Sequence, residues 1–134
     1  MKNIVVSGAA IIRNNNGKKG IFATQRGYGE FEGGWEIPGG KIESGETAQQ
    51  CIIREIHEEL DSKIEVEKSL GVVEYDYPAF HLTMHCLLCH LVSGKLTLLE
   101  HKNAKWLSRE NLYSVEWLPA DKLILPQIEK ILTE

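Results

Sequence analysis

The chain has 134 residues, 43% hydrophobic and 25% charged, with a net charge of -4. That length is near the commonest single-domain size and buries roughly two-thirds of the unfolded surface, so one domain over 1–134 is expected, and the mild acidity leaves no basic excess to grip a long nucleic acid. No apolar run approaches the roughly 20 residues that span a bilayer, and in "MKNIVVSGAAIIRNNNGKKG" Arg13 and an Asn-Gly turn stand where a signal-peptide cleavage site would be; a cytoplasmic protein with no membrane partner is expected.

In chain order, "IVVSGAAIIR" (4–13) and "KGIFATQR" (19–26) read as strands joined by a turn at Asn14 to Gly17. "YGEFEGGWEIPGG" is a glycine-rich loop with a short strand at Trp35 to Ile37, stopped by Pro38. A helix is predicted over 47–60. "IEVEKSLGVVEYDYP" and "FHLTMHCLLCHLV" read as further strands, "LLEHKNAKWLS" runs from a loop into another short one, and "PADKLILPQIEKIL" reads as a closing helix interrupted by Pro126. Strands, helix, strands and helix again favour an α/β (α+β) fold with a sheet sandwiched between helices. Three cysteines argue against a disulfide framework. Cys86 and Cys89, an odd number apart on a strand, point to opposite faces and cannot share a zinc ion. No second Cys pair completes a tetrahedral set.

The helix carries most of the chemistry. Thr47 followed by Gln50 is a capping-box pattern that fixes its start. At about 100° per residue, Ile52, Ile53, Ile56 and Leu60 form one apolar stripe, while Glu55, Glu58 and Glu59 fall within about 100° of each other on an adjacent face. Like charges three and four apart repel, and the helix C-terminus already carries partial negative charge. Something cationic should offset them. A solvated face with an Arg54–Glu58 pair is the plain alternative, but "PGGK" just upstream supplies glycines whose backbone can approach a ligand, and Lys41 to meet phosphate. Glycine loop, lysine and carboxylates together suit a phosphate carried by Mg²⁺ or Mn²⁺.

Gly40, five residues, Glu46, seven residues, then Arg54-Glu55-Ile56-His57-Glu58-Glu59 resembles the signature box of the Nudix hydrolases. "WEIPGGKIESGET" upstream and the strand, acidic loop and terminal helix downstream are similar to the MutT-type branch. One departure stands after Glu59, where the family usually has any residue, glycine and an apolar residue; here stand Leu60, Asp61 and Ser62. Asp tolerates the left-handed conformation that a helix-ending glycine supplies. The resemblance implies a mixed sheet between helices and Mg²⁺-dependent hydrolysis of a nucleoside diphosphate linked to another group, with a small-molecule nucleotide as substrate and a monomer or homodimer as the working form. It implies Glu55, Glu58, Glu59 and the carbonyl of Gly39 as metal ligands, Glu55 or Glu59 as the acceptor of the water's proton, Arg54 and Glu46 as supports, Gly40 beside them, and Lys41 facing the phosphates. A further acid from a later loop falls on Glu100 in "LLEHKN".

In the MutT-type resemblance the base pocket falls on Arg26, Trp35, Ile37 and Asp121, with Tyr28, Phe31 and Tyr77 as stacking candidates. "WLPADKLIL" is similar to CTP pyrophosphohydrolase-like members, where an aspartate replaces an asparagine of enzymes for oxidised guanine nucleotides. An ionised carboxylate only accepts hydrogen bonds and so suits an exocyclic amine such as cytosine N4. The expected reaction is cleavage of (d)CTP or a modified pyrimidine triphosphate to the monophosphate and pyrophosphate. The alternatives are an 8-oxo-dGTP diphosphatase and, in another class, a non-catalytic nucleotide-binding module or metal-binding structural protein.

Overall fold

A computed structural model describes residues 2–99 and 101–134, so the expectation placed on Glu100 lies outside the described residues. Seven strands run β1 Lys2–Asn15, β2 Lys18–Gln25, β3 Trp35–Glu36, β4 Gly39–Lys41, β5 Lys63–Asp76, β6 Phe80–Ser93 and β7 Asn103–Leu107. Three α-helices, α1 Ala48–Leu60, α2 Pro119–Lys122 and α3 Leu125–Thr133, and a 3-10 turn at Arg109–Asn111 complete the order among the described residues. The sheet path is β3-β2-β1-β6-β5, with β4 on β1 and β7 on β2. β1 and β6 are parallel, from Lys2 opposite Phe80 to Ile11 opposite Cys89, whereas β5 and β6 form an antiparallel hairpin. The sheet is therefore mixed.

Alternation along the central strands divides the core into two layers. Ala9 and Ile11 of β1, with Leu87 and Cys89 of β6, meet Ile52, Ile56 and Leu60 of α1. Ala10, Cys86 and Leu88 face the other way, onto Ala120, Ile128 and Leu132 of the C-terminal helices and Ile124 between them. The sheet is sandwiched between helices, and Cys86 and Cys89 lie on opposite sides of it, as a period of two requires.

The capping box of α1 is complete: the Thr47 hydroxyl accepts from the Gln50 N–H, and the Gln50 side chain accepts from the Thr47 N–H. Ile52, Ile56 and Leu60 are fully buried, so Ile56→Ala costs about 2–5 kcal/mol. Ile53 departs from the expected stripe. It is 41% exposed, and Cys51 is buried in its place. Ile53 lies about 100° beyond Ile52, past the edge of the stripe, whereas Cys51 faces β4 and donates its thiol to the carbonyls of Gly40 and Lys41. Asp61 does end the helix in the left-handed region, φ 47 and ψ 46, with its N–H bonded to the His57 carbonyl. Ser62 follows buried, its hydroxyl donating to the Leu60 carbonyl and accepting from the Leu96 N–H. A polar residue thus does the tethering where the family pattern has an apolar one.

The expected closing helix is two helices. Pro126 starts α3 rather than interrupting one continuous helix, standing in its first turn where a missing N–H costs nothing. No helix among the described residues is long and apolar enough to cross a membrane.

Candidate active site

The carboxylate face of α1 is organised by one cation. Arg54 forks onto Glu46, with Nε at 2.7 Å and Nη2 at 3.0 Å, and its Nη1 lies 2.9 Å from Glu55 and 3.2 Å from Glu58. Nη2 also donates to the Lys41 carbonyl at 3.2 Å, tying helix to loop. The hydrogen bonds from Arg54 hold the Glu46 carboxyl down at about 2, and Glu46 in return raises the guanidinium further above its ordinary value. The offsetting cation is thus partly within the helix itself. A solvated-face description fits Glu58 alone, whose side chain is 55% exposed; those of Glu55 and Glu59 are at 13% and 17%.

The glycines upstream are required by close approach. A Cβ on Gly40 would stand 2.3 Å from the Glu55 carboxyl carbon, and one on Gly39 would stand 1.9 Å from the Ser7 carbonyl oxygen. Gly39 pairs with Gly8 of β1, and so presses the loop onto the central strand while Glu55 settles over its neighbour. Beneath them burial pushes the Cys51 thiol up to about 11, so it acts as an uncharged donor. Glu59 lies beside His101, Oε2 to Nε2 at 3.8 Å.

Two cavities meet at this point. One, of about 230 Å³, is lined by Arg26, Phe31, Glu36, Ile37, Gly39, Gly40, Lys41, Tyr77 and Asp121 together with apolar residues of β1 and β6. The other, of about 260 Å³, is lined by Arg26, Tyr28, Glu36, Gly39, Glu59 and His101 with two glycines. Arg26, Glu36 and Gly39 belong to both. Phe31, Tyr77 and Phe80 form an aromatic cluster in the first, with centroids 5.0–6.5 Å apart.

Asp121 is buried at the start of α2 and accepts the Ile37 N–H at 3.0 Å, joining the C-terminal helices to the loop before Gly39. Burial raises its carboxyl to about 8, and the nearby Glu36 adds to the shift; the Ile37 N–H and Arg26 oppose it. At neutral pH the group is mostly protonated, so it can donate as well as accept. Burial, which the local sequence does not display, thus favours the neutral form over the ionised form expected from sequence.

Of the expected residues, Glu46, Arg54, Glu55 and Glu58 form one network, with Gly40 and Lys41 against it, and Glu59 lies across Gly39. Arg26, Ile37 and Asp121 line the first cavity; Trp35 does not. Its ring is buried in the core with the Lys105 ammonium 5.3 Å from its centroid, and its backbone holds the approach to α2 by bonds with Glu116 and Leu118. Tyr28 is also displaced: it stands 64% exposed at the second cavity, whereas Phe31 and Tyr77 line the first. Sequence reasoning missed Glu36 and His101. Opposite charges on Arg26 and Glu36, bracketing a glycine-rich loop, were the available signal for the first. His101 follows Glu100 directly.

The oxygen donors of Glu55, Glu58, Glu59 and the Gly39 carbonyl suit a hard divalent cation in kind. Among the described residues no three His, Cys, Asp or Glu side chains converge as a ready metal cage, and Arg54 holds Glu55 and Glu58. The seat of Glu55 on Gly40, with no Cβ to displace it, fits the donor set to such an ion.

Residues 4–130 match the sequence profile of the NUDIX domain. The chain is 30% identical over 132 residues to an 8-oxo-dGTP diphosphatase of Escherichia coli (strain K12), covering 98% of this chain and 100% of that protein. It is 29% identical over 121 residues to a CTP pyrophosphohydrolase of the same organism, covering 90% and 87%. The crystal structure of a MutT NUDIX hydrolase from Burkholderia pseudomallei superposes with a TM-score of 0.84 at 28% identity, covering 96% and 99%.

Proposed function

The chain belongs to the Nudix hydrolase family, and from that premise we propose that residues 1–134 act as one catalytic domain that hydrolyses a nucleoside triphosphate to the monophosphate and pyrophosphate, using Mg²⁺ or, in its place, Mn²⁺. The supporting observation is the Glu55 carboxylate of α1 packed over Gly40, with an aromatic-lined cavity opening at Gly39 and Gly40. Glu55, Glu58, Glu59 and the Gly39 carbonyl would hold the cation, with Glu100 joining them on the strength of its place in the sequence. Bound there, the cation supplies charge neutralisation at the phosphate oxygens and lowers the pKa of the attacking water.

The chain's own groups do the rest. Glu59, or Glu55, takes the proton as water attacks phosphorus and the bond to the departing pyrophosphate breaks. Glu59 lies on the cleft wall beside His101, and Glu55 is held by Arg54. Arg54 and Glu46 fix the helix carboxylates, and Lys41 faces the phosphates from the rim of the base cavity. Phe31 and Tyr77 enclose the base, and Asp121 meets its polar edge beside Ile37 and Arg26.

A neutral carboxyl offers a donor and an acceptor side by side. That matches the O6 and N7–H edge of 8-oxoguanine, the base named in the 8-oxo-dGTP diphosphatase relative. Cytosine N3 and N4–H₂ present the same pair, and the similarity to a CTP pyrophosphohydrolase supports (d)CTP as the second reading. The test is a panel of 8-oxo-dGTP, CTP, dCTP and the ordinary triphosphates with Mg²⁺. Phosphate should appear only after inorganic pyrophosphatase is added. Release without it would mean cleavage at the terminal phosphate, and no release from any nucleotide would leave a binding module instead of an enzyme.

A further inference from the structure

The wall shared by the two cavities is a salt bridge, and its geometry points to a role for Glu36. Arg26 follows β2 and is fixed at its backbone by bonds to the Gly34 carbonyl and from the Gly33 N–H, both 2.9 Å. Glu36 stands on β3, opposite Thr24 of β2. From these anchored positions the side chains meet as a fork: Nε to Oε2 at 3.1 Å and Nη2 to Oε1 at 2.7 Å. Both carboxylate oxygens are used, so Glu36 is poorly placed to read a base directly. The fork leaves Nη1 of Arg26 uncommitted among the described residues, with the guanidinium 5.9 Å from the Phe31 ring centroid and lining both cavities.

We propose that Glu36 is a positioning residue for substrate binding: it locks Arg26 so that the Nη1 edge is held at the junction where base cavity and phosphate cleft meet, ready for an acceptor oxygen of the nucleotide. An unpaired arginine would sample many rotamers and lose that freedom on binding; a two-point fork removes the freedom in advance. The oxygen donors of α1 are not part of the fork, so the effect falls on binding and not on the chemical step. The inference rests on the nucleotide hydrolase reading above.

The test compares wild type, Glu36→Gln, Arg26→Lys, Arg26→Ala and the Arg26→Ala/Glu36→Gln pair on 8-oxo-dGTP and CTP with Mg²⁺, after thermal melts establish that each is folded. Glu36→Gln puts an amide N–H₂ against the guanidinium donors and breaks the fork, so KM should rise about tenfold while kcat stays within about twofold. Arg26→Lys keeps the charge but cannot fork, and should show the same split. In the Arg26→Ala background Glu36→Gln should add no further loss, because its partner is gone. Unchanged KM in Glu36→Gln, a normal Arg26→Lys, or equal losses with and without Arg26 would each overturn the proposal. A wild type that cleaves neither nucleotide overturns the functional reading and this inference with it; a wild type that cleaves one while Glu36→Gln keeps its KM overturns this inference alone.

Discussion

On the helix side of the cleft, Glu46, Glu55 and Glu58 share Arg54, and Glu46 is pulled down to about 2. On the base side, Asp121 is buried beside a guanidinium already committed to Glu36, and rises to about 8. The same functional group is therefore kept charged at one end of the cleft and mostly neutral at the other. The hydrogen bonds from Arg54 decide the first; burial, with the nearby Glu36 charge, decides the second and outweighs Arg26. Charge suits the end that would gather a metal ion and phosphates, and neutrality suits the end that would meet an uncharged base.

The sharpest way to break the contrast is at Glu59. Glu59→Gln keeps the shape and removes the charge, so turnover should fall roughly a thousandfold with the thermal melt little changed; near-normal turnover would return the helix face to a purely structural role. Arg54→Met comes next. Losing the shared cation leaves Glu46, Glu55 and Glu58 to repel one another, so Tm should fall without metal, and added Mg²⁺ should restore more of it than in wild type. Melts with Mg²⁺ and with chelator measure the difference.

Asp121 sharpens the other end. With a carboxyl at about 8, kcat/KM should drop about tenfold between pH 7 and pH 9 as the donor form is lost, and Asp121→Asn should flatten that limb. The stability sign follows from the raised value. The neutral form is favoured in the fold, so stability is fullest below the unfolded value near 4 and declines as pH rises toward about 8, a decline that Asp121→Asn removes. Glu46 behaves oppositely. Its folded value is depressed, so the stability it adds is present above its ordinary value and is lost as pH falls toward about 2; Glu46→Gln should lose that acid-range dependence in denaturant titrations. Smallest of all is Glu110→Gln, outside both cavities, which should leave turnover unchanged.

What could be read from the sequence was local. Thr47 and Gln50 announce the start of α1 in four residues, Asp61 can stand in for a helix-ending glycine, and the odd spacing of Cys86 and Cys89 separates them. Charged side chains in one helix and the loop before it could be grouped by angle and spacing. The base side depends on contacts between distant segments. Nothing near Asp121 says that Ile37 will cover it, nor that Glu36 will occupy Arg26. The MutT-type resemblance puts Trp35 in the base pocket, yet Trp35 bridges Trp117 and its ring is buried in the core. Ile53 is grouped with the stripe at about 100° per residue, but it lies at the margin and is left exposed.

The parallel pairing of β1 with β6 bears on how the protein reaches its active state. The first strand can close its hairpin with β2 early, but its ladder from Lys2–Phe80 to Ile11–Cys89 waits until most of the chain has been made. Such distant pairings slow folding, because loop-closure entropy is paid before the contacts reward it. Gly39 is fastened to β1, and the base cavity needs side chains from β1, β6 and α2 together. In refolding from denaturant, far-UV signal from α1 should therefore recover before nucleotide turnover, and a ribosome-bound chain lacking its last strands and helices would carry the carboxylate helix without a place to put a base.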